Sequence, residues 1–348
     1  MVTIGVDPHK DTHQAVAVDD VGRQLSERTC DAVSDGFGEL LGWGRALDDE
    51  RVWVIEDCRH VSGPVERFLL DHGESVARLA PHLMAQARRH VGSRGKSDPI
   101  DALSVARAAL AHGLENLPTA RLAGVDLEIR LIHQHHQRLV KQRTALINDL
   151  RWNLHDLWPE LKIARRRLRE VSVQAQVARR LSAAPRGARV RVARDELRRV
   201  RELTRTINDL IAELTQLVSQ AAPHLLTQTG IGPITAAALI GEIAGIDRFR
   251  TDAKLARTAG CAPIPVSSGR TDRHRLDRGG NRQLNYAVHM IALSRLRYDP
   301  ETALYVARQR EKGKTQREAI RSLKRHLIRR IWQLLTDPSS IPATVCLT

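Results

Sequence analysis

Leucines recur at helical spacing through the middle of this chain. Between residues 139 and 157 they are separated by seven, four and three residues on a strongly basic background, which predicts a long amphipathic helix. A Pro-Arg-Gly run at 185–187 interrupts the pattern, which resumes between residues 197 and 217. The simplest interpretation is an antiparallel hairpin of two long helices. Alternatively the helices pair between subunits, because their seams have little other chain to bury them, and an oligomer is then expected.

The chain before this region alternates short apolar runs with turn residues. Three strands in succession, followed by alternating helices and strands, indicate an α/β layer whose sheet has an antiparallel edge. This arrangement resembles the RNase H fold. The predicted strands lie at residues 2–7, 15–18, 24–29, 52–55 and 75–79, and predicted helical stretches lie at 37–41 and 64–70.

The composition becomes globular again after the second leucine-rich stretch. Gly-Ile-Gly-Pro at 230–233 opens an alanine-rich apolar helix that runs through Ile243, and residues 320–335 form a basic helix with one apolar face. The sequence therefore predicts three parts: an α/β domain at 1–118, a coiled-coil or helical spacer at 119–222, and an all-α C-terminal domain at 223–340.

The charge of the chain indicates a polyanionic partner. Lys and Arg number 55 against 40 Asp and Glu, a formal charge of +15, which exceeds what solubility requires. Nucleic acid fits better than a membrane, because no run offers the roughly 18 apolar residues of a membrane-spanning helix. The four cysteines lie far apart without a CxxC pair, which favours a reducing, cytoplasmic location over a zinc ribbon or disulfide framework.

Four carboxylates stand where they could converge. Asp7 ends the first predicted strand, Glu56 ends the fourth, and Asp98 and Asp101 are spaced to share one side of a helical turn. Taken singly, Asp7 is explained as a turn residue, and Asp98 as a helix N-cap with Asp101 at the third position. Asp57 competes with Glu56, but strand alternation points it to the opposite face. Taken together, the four favour a metal site.

Such a cluster is suited to magnesium. Mg²⁺ prefers oxygen ligands, and a pair of ions stabilises both the entering and the leaving oxygen at a phosphorus atom. We therefore expect two Mg²⁺ ions held by the four carboxylates, and phosphodiester chemistry as the activity.

A second candidate site follows the small residues that begin at Gly260. Ser268 lies close to Arg270, Arg273 and Arg275, so a serine hydroxyl could attack phosphorus while guanidinium groups stabilise the developing charge. Ser-Ser-Gly is also common turn chemistry, and the residues alone favour that interpretation. Ser267 is then as good a candidate as Ser268.

Two further motifs are weaker. Gly230 and Gly232 precede a helix as in helix-hairpin-helix modules, whose backbone amides can hold a DNA phosphate, although a plain helix-entry turn explains them too. His133, His135 and His136 lack a further ligand at a recognisable spacing. We therefore expect these histidines to lie on a solvated helix face.

The whole chain resembles the DEDD transposases of bacterial insertion sequences, a group that includes pilin-gene invertases and bridge-RNA-guided recombinases. The order and separation of three blocks carry the resemblance. The sequence departs from the family pattern at His9 and Lys10, shortly after Asp7, and at residues 57–58, directly after Glu56. These differences leave the four acids intact. The blocks are IGVD at 4–7 with VIE at 54–56, KSDPIDA at 96–102, and TGIGP at 229–233 with the segment 259–269.

The resemblance implies roles for these residues. Asp7, Glu56, Asp98 and Asp101 match the family's magnesium-binding acids, and Ser268 matches a serine that forms a covalent phosphoserine intermediate with DNA. It also implies a homodimer or homotetramer in which the acids of one subunit act with the serine of another. A structured guide RNA would then select the element ends and target DNA by base pairing.

Two other functions fit parts of the sequence. A junction-resolving nuclease would need the four acids and no serine. A non-catalytic architectural protein that binds nucleic acid would use the acids as helix caps, and Ser268 would only shape a turn.

Overall fold

The structure is a computed structural model. It describes residues 1–56, 59–79, 98–117, 119–120, 124–268, 271–275, 277 and 280–337, with the side chains of residues 59, 60, 98, 116, 267, 268 and 271–273 left out of the description. The chain forms two compact units, residues 1–124 and 125–348.

The first unit is built on a mixed five-stranded sheet. Its order is β3-β2-β1-β4-β5, in which β1, β2 and β3 form an antiparallel meander and β4 and β5 run parallel to β1. This confirms the predicted α/β layer with an antiparallel edge, the arrangement associated above with the RNase H fold. The strands are β1 (Val2–Pro8), β2 (Thr12–Val18), β3 (Gln24–Asp31), β4 (Arg51–Glu56) and β5 (Val76–Leu79).

Helices cover both faces of this sheet. Helices α1 (Ser34–Arg45) and α2 (Arg59–Asp71) pack on one face, and α3 (Asp98–His112) packs on the other. Because both faces are covered, all seven residues of β1 are buried, as in strands that lie between two helical layers. The first face buries Ile4, Phe37, Leu40, Trp53 and Leu69, and the second buries Val16, Val54, Val105, Ala106 and Ala109.

The second unit contains the two predicted long helices. Helix α4 (Val125–Leu157) and helix α6 (Ala188–Ala221) run antiparallel, since Asn153 donates to the carboxylate of Glu196 at 2.9 Å, while Arg143 meets Thr204 further along. The interruption at 185–187 lies directly before α6, so the hairpin interpretation is confirmed.

The connection between the long helices is more than a turn. It contains a short 3-10 helix (Arg167–Arg169) and helix α5 (Val171–Ala183), which the sequence analysis missed. Helix α5 buries Val173, Val177 and Leu181 against the seams of α4 and α6. The chain therefore buries the part of these seams that α5 covers without another subunit, and pairing between subunits stays a prediction.

The remaining helices of this unit share a core with the long helices. That core joins Ile129 and Leu214 to the C-terminal helices, and the predicted apolar helix appears as α8 with the expected ends. The boundary between the two compact units, at residues 124 and 125, lies near the predicted boundary at 118, and no such boundary lies at 222. The three-domain division stays a prediction. The helices are α7 (Pro223–Leu226), α8 (Pro233–Ile243), α9 (Asp252–Thr258), α10 (Arg282–Tyr298), α11 (Pro300–Glu311) and α12 (Gln316–Thr336).

A small sheet interrupts these helices. Strands β6 (Ile264–Ser268) and β7 (Thr271–Arg275) pair antiparallel as a hairpin. The all-α expectation for this region is thus corrected, because a two-residue link lets the serine-containing segment pair with the arginine-rich one that follows it.

Candidate active site

Asp7 and Glu56 lie side by side at one edge of the sheet. Asp7 is the second-last residue of β1 and Glu56 the last of β4, and the parallel register pairs Val6 with Ile55. The next step of that register sets Asp7 beside Glu56, on strands about 4.8 Å apart. The topology therefore places these two acids next to each other at one edge of the sheet, and their joint role stays a prediction.

Gly5 allows α3 to lie directly on the strand that carries Asp7. A Cβ placed on Gly5 would come within 2.3 Å of the carbonyl oxygen of Ala102 and 2.5 Å of the amide nitrogen of Ala106. Side chains two residues apart on a strand share a face, so Asp7 points to the side of the sheet on which α3 lies. Glu56 shares that face with Val54, which also packs against α3.

The start of α3 lies at the same edge as the two strand-end acids. Arg107, in its second half, donates to the carbonyl oxygen of Gly22 at 2.9 Å. Gly22 follows β2, whose last residue, Val18, pairs with Thr3 near the beginning of β1. The first turn of α3, with Asp98 and Asp101, therefore lies toward the opposite end of β1, where Asp7 stands.

The carboxylates of Asp7 and Asp101 are buried. Their exposed fractions are 6% and 7%, and Glu56 is half-buried. His9, which is exposed, has its Nδ1 at 3.9 Å from a carboxylate oxygen of Asp7. Taking carboxylates out of water is costly unless charge or hydrogen bonds compensate, so a cation at this edge would stabilise the arrangement.

Gln14 is a neighbour of Asp7 that the sequence analysis missed. The antiparallel register pairs the two residues directly, so their side chains share the face toward α3. Gln14 is 6% exposed, and its side-chain oxygen accepts a hydrogen bond from the hydroxyl of Thr29. Gln14 could have been noticed in the sequence because it is a polar residue two positions before Val16, on the same buried face of a mostly apolar strand.

The donor set suits a hard divalent cation in its chemistry, since every member is a carboxylate. Within the described part of the chain, no group of three or more His, Cys, Asp or Glu side chains is arranged to hold a metal ion. The side chain of Asp98 lies outside the described residues. The four-acid magnesium site thus stays a prediction that the shared edge and face of the acids support.

Ser268 is the last residue of β6, where the hairpin turns. Its backbone pairs with Thr271, and that of Ser267 pairs with Asp272. The side chains of both serines and of Arg273 lie outside the described residues, as does the whole of Arg270. Ser268 therefore stands at the hairpin tip by its backbone position, and the choice between the two serines stays a prediction.

Arg275 lies at the other end of this hairpin. It is exposed and pairs with Ile264, four residues along the strand from the pair at Ser268. At about 3.3 Å per residue the two positions are roughly 13 Å apart. The hairpin therefore does not bring the backbone of Arg275 to the serine.

Hydrogen bonds from Asn285 and Lys324 anchor the segment that leads into β6. The side-chain amide of Asn285 donates to the carbonyl oxygens of Ala259 and Gly260 at 2.7 and 3.1 Å, and Lys324 donates to the amide oxygen of Asn285 at 2.6 Å. Lys324 is 6% exposed, and burial lowers the pKa of its amine. These residues, missed in the sequence, fix the base of the hairpin to α10 and α12.

Two family models match the chain in sequence order. The first is a DEDD model of IS110 transposases, with the description transposase, and it matches residues 4–159. This range contains the strand-end acids and α3. A second, described as transposase of the IS116/IS110/IS902 family, matches residues 222–307 with the serine hairpin. The chain belongs to the IS110/IS116 family of transposases. The resemblance to DEDD transposases of insertion sequences is therefore confirmed for the family as a whole.

Relatives of this transposase align along nearly its whole length. The 44.8 kDa protein of insertion element IS116 from Streptomyces clavuligerus is 23% identical over 97% of this chain and 95% of that protein. The 42 kDa protein of insertion element IS900 from Mycobacterium paratuberculosis is 26% identical over 97% of this chain and 96% of that protein. The Streptomyces coelicolor IS110 protein is 38% identical over a shorter stretch, 36% of this chain and 32% of that protein.

Among solved structures, Thermus thermophilus RuvC in complex with a Holliday junction substrate aligns with 34% of the transposase and 99% of that chain. The TM-score is 0.28 and the sequence identity 16%.

The two glycines before α8 have different surroundings in the transposase. Gly230 has φ +85°, and a Cβ there would lie 3.0 Å from Arg295 Cγ and 3.1 Å from the carbonyl oxygen of Ile291. Gly232 is the N-cap residue of α8 and has open space around it. A helix-entry turn packed on α10 accounts for Gly230, while DNA contact at Gly232 stays a prediction.

Two of the three clustered histidines are not on a solvated face, contrary to the sequence interpretation. His133 and His136 are 3% and 7% exposed, while His135 is exposed as expected. Helix α8 lies against this part of α4 so closely that a Cβ on Gly241 would lie 2.8 Å from Arg130 Cβ. Burial lowers the pKa of both histidines, which favours their neutral forms.

In the described part of the transposase, no helix is both long enough and apolar enough to cross a membrane.

Proposed function

We propose that this transposase cuts and rejoins DNA strands through a metal-assisted carboxylate site and a serine nucleophile. The observation that carries the proposal is the shared sheet edge: Asp7 and Glu56 end neighbouring strands on the face covered by α3, whose first turn lies toward the same end. Asp98 and Asp101 complete the set of four acids.

Asp7, Glu56, Asp98 and Asp101 would hold the metal ions. A pair of Mg²⁺ ions bound there would stabilise the entering and leaving oxygens at phosphorus. The part played by the protein is to hold the carboxylates on rigid elements. The close contact of α3 with β1 at Gly5 serves this purpose.

Ser268 is proposed as the nucleophile. Its hydroxyl oxygen forms a bond to a backbone phosphorus, one bridging phosphorus–oxygen bond breaks, and the departing oxygen takes up a proton. A hydroxyl of another strand then attacks the phosphoserine, releases the serine and rejoins the DNA. The position of Ser268 at the hairpin tip, with its base anchored by Asn285 and Lys324, supports this role.

The proposal includes a structured guide RNA and an assembly of two or four subunits. The formal charge of +15 can accommodate both RNA and DNA. The serine segment and the acids belong to separate compact units, which is compatible with a site completed by another subunit. In this scheme the RNA pairs with the element ends and the target, so the protein need not read their sequence.

The acids are tested by strand cutting. Purified protein, element-end DNA and RNA transcribed from the flanking region are combined with Mg²⁺, and products are separated on a denaturing gel. Asp7→Asn, Glu56→Gln and Asp101→Asn should each reduce cutting by on the order of a hundredfold or more, because outer partners of metal sites alone are worth about 10- to 100-fold. Asp20→Asn, at an exposed turn of the same unit, should cut like the wild type.

Cutting that persists in Asp7→Asn, or that needs no divalent cation, would contradict the carboxylate site. A protein that bends or bridges DNA without cutting it, equally well in all these variants, would instead have the architectural role.

A further inference from the structure

Helix α6 carries a stripe of arginines along one side, which we call the α6 stripe. Its five members are spaced by three and four residues, so they share one face of the helix, and every one is exposed. They cover 14 residue steps, or about 21 Å at 1.5 Å per residue. The stripe consists of Arg191, Arg194, Arg198, Arg201 and Arg205.

Most of this charge is not neutralised by the protein. Arg198 pairs with Asp195 and Glu202. Within the described part of the chain, Arg191, Arg201 and Arg205 form no ion pair. Like charges three or four residues apart destabilise a helix, so the stripe acts against folding unless an anion binds it.

The stripe borders a cleft between α5 and α6. The cleft has a volume of about 410 Å³, and four of the stripe's arginines line it. Arg194 is held in place there, because its guanidinium donates to the carbonyl oxygen of Leu181 at 2.7 Å. Glu202 is the one acid among the lining residues, and none of them is aromatic.

We propose that the α6 stripe and this cleft bind the phosphate backbone of duplex DNA without reading its sequence. Proteins that bind single strands stack bases on aromatic side chains, and the cleft offers none. A duplex keeps its bases stacked inside and presents phosphates to guanidinium groups, which bind them in a bidentate manner. DNA is the duplex on which transposition acts, and the choice of DNA over duplex RNA rests on the proposed function.

The binding surface is tested without any chemistry. A short duplex of arbitrary sequence is titrated with the full chain in EDTA at several salt concentrations, and affinity is followed by fluorescence anisotropy. Arg201→Gln with Arg205→Gln should weaken binding about tenfold and reduce the slope of log affinity against log salt by about two, near one for each lost phosphate contact. The matched control is Arg189→Gln with Arg199→Gln, which removes the same charge from other sides of α6.

Each arginine of the control pair already has a carboxylate partner in the protein, since Arg189 pairs with Asp156 at 2.6 Å and Arg199 shares Asp195 with Arg198, at 2.8 Å. It should change the affinity by less than about twofold and leave the salt slope nearly unchanged. Arg201→Lys with Arg205→Lys keeps the charge and should restore the salt slope of the wild type, although part of the affinity is lost with the bidentate contacts. This result would separate lost phosphate contact from a damaged helix.

If the Arg201/Arg205 and Arg189/Arg199 glutamine variants lost the same affinity for the duplex, the proposal would be overturned, because net charge alone would then explain binding. The proposal would also be overturned if the Arg201/Arg205 glutamine variant lost affinity only for duplex RNA or only for single-stranded DNA. Since no metal is present and no strand is cut, a failure of the serine or carboxylate chemistry leaves this result unaffected.

Discussion

Gly5 determines how closely α3 approaches the strand that carries Asp7. We predict that Gly5→Ala lowers the free energy of unfolding by about 1–3 kcal/mol, or more, because its Cβ would overlap the backbone of Ala102 and Ala106. Chemical denaturation of the full chain measures the change. The variant should also cut DNA poorly, since α3 and its acids would be pushed from the sheet edge.

Gly38 provides the control for that substitution. It lies in α1, and a Cβ there meets no atom within 4 Å. Gly38→Ala should therefore stabilise the protein by about 0.5–1 kcal/mol. If both alanines stabilised the protein alike, the close contact between β1 and α3 would be wrong.

At the scale of residues, the sequence predicted what local patterns can encode. Asp7 and Glu56 were found because each follows an apolar run, and parallel strands place such ends at one edge. Gln14, Asn285 and Lys324 were missed, since their roles depend on partners distant in the chain. No local pattern specifies that Lys324 is buried against an amide 39 positions away.

At the scale of elements, the crossing of α4 and α8 makes stability depend on pH. His133 and His136 have pKa values below the usual 6.5 chiefly because they are buried. Nearby His136 lowers the pKa of His133 further and Glu242 opposes the shift, while Arg143 lowers the pKa of His136 further. The unfolded chain therefore binds protons first as the pH falls. Stability that is fully present above pH 6.5 is lost as the pH falls through the folded-state values.

We expect this loss to be at most about 1.4 kcal/mol per pH unit for each histidine. Denaturation at a series of pH values between neutral and mildly acidic measures it. Gln at both buried positions should flatten the dependence relative to the wild type, whereas His135→Gln, at an exposed position, should leave it unchanged. An equally steep dependence in the double variant would show that other groups cause it.

The same elements show where a helical pattern stops being informative. The long helices were predicted because their leucines repeat over many turns, and α8 because Gly-Pro marks its start. Helix α5 was missed although Val173, Val177 and Leu181 are spaced by four, because 13 residues among many arginines give a weak signal. That omission removed the layer that buries the leucine seams and led to the argument for a second subunit.

At the scale of the whole molecule, charge and motif order were informative and assembly was not. The formal charge of +15 predicted a polyanionic partner, and the two matched regions give the family of transposases. Since the chain itself buries the part of the seams that α5 covers, the helices alone do not imply the number of subunits. It now rests on the proposal that the acids of one subunit act with the serine of another.

A search for a covalent link between the protein and DNA tests the proposed serine chemistry. Wild type, Ser268→Ala and Ser267→Ala are incubated with Mg²⁺, element-end DNA and flank-derived RNA, and adducts are separated on a denaturing gel and mapped by peptide mass. We predict an adduct on Ser268 in the wild type and in Ser267→Ala, and no adduct in Ser268→Ala. Cutting without any adduct, undiminished in Ser268→Ala, would contradict it and make this transposase a metal-dependent nuclease without a serine intermediate.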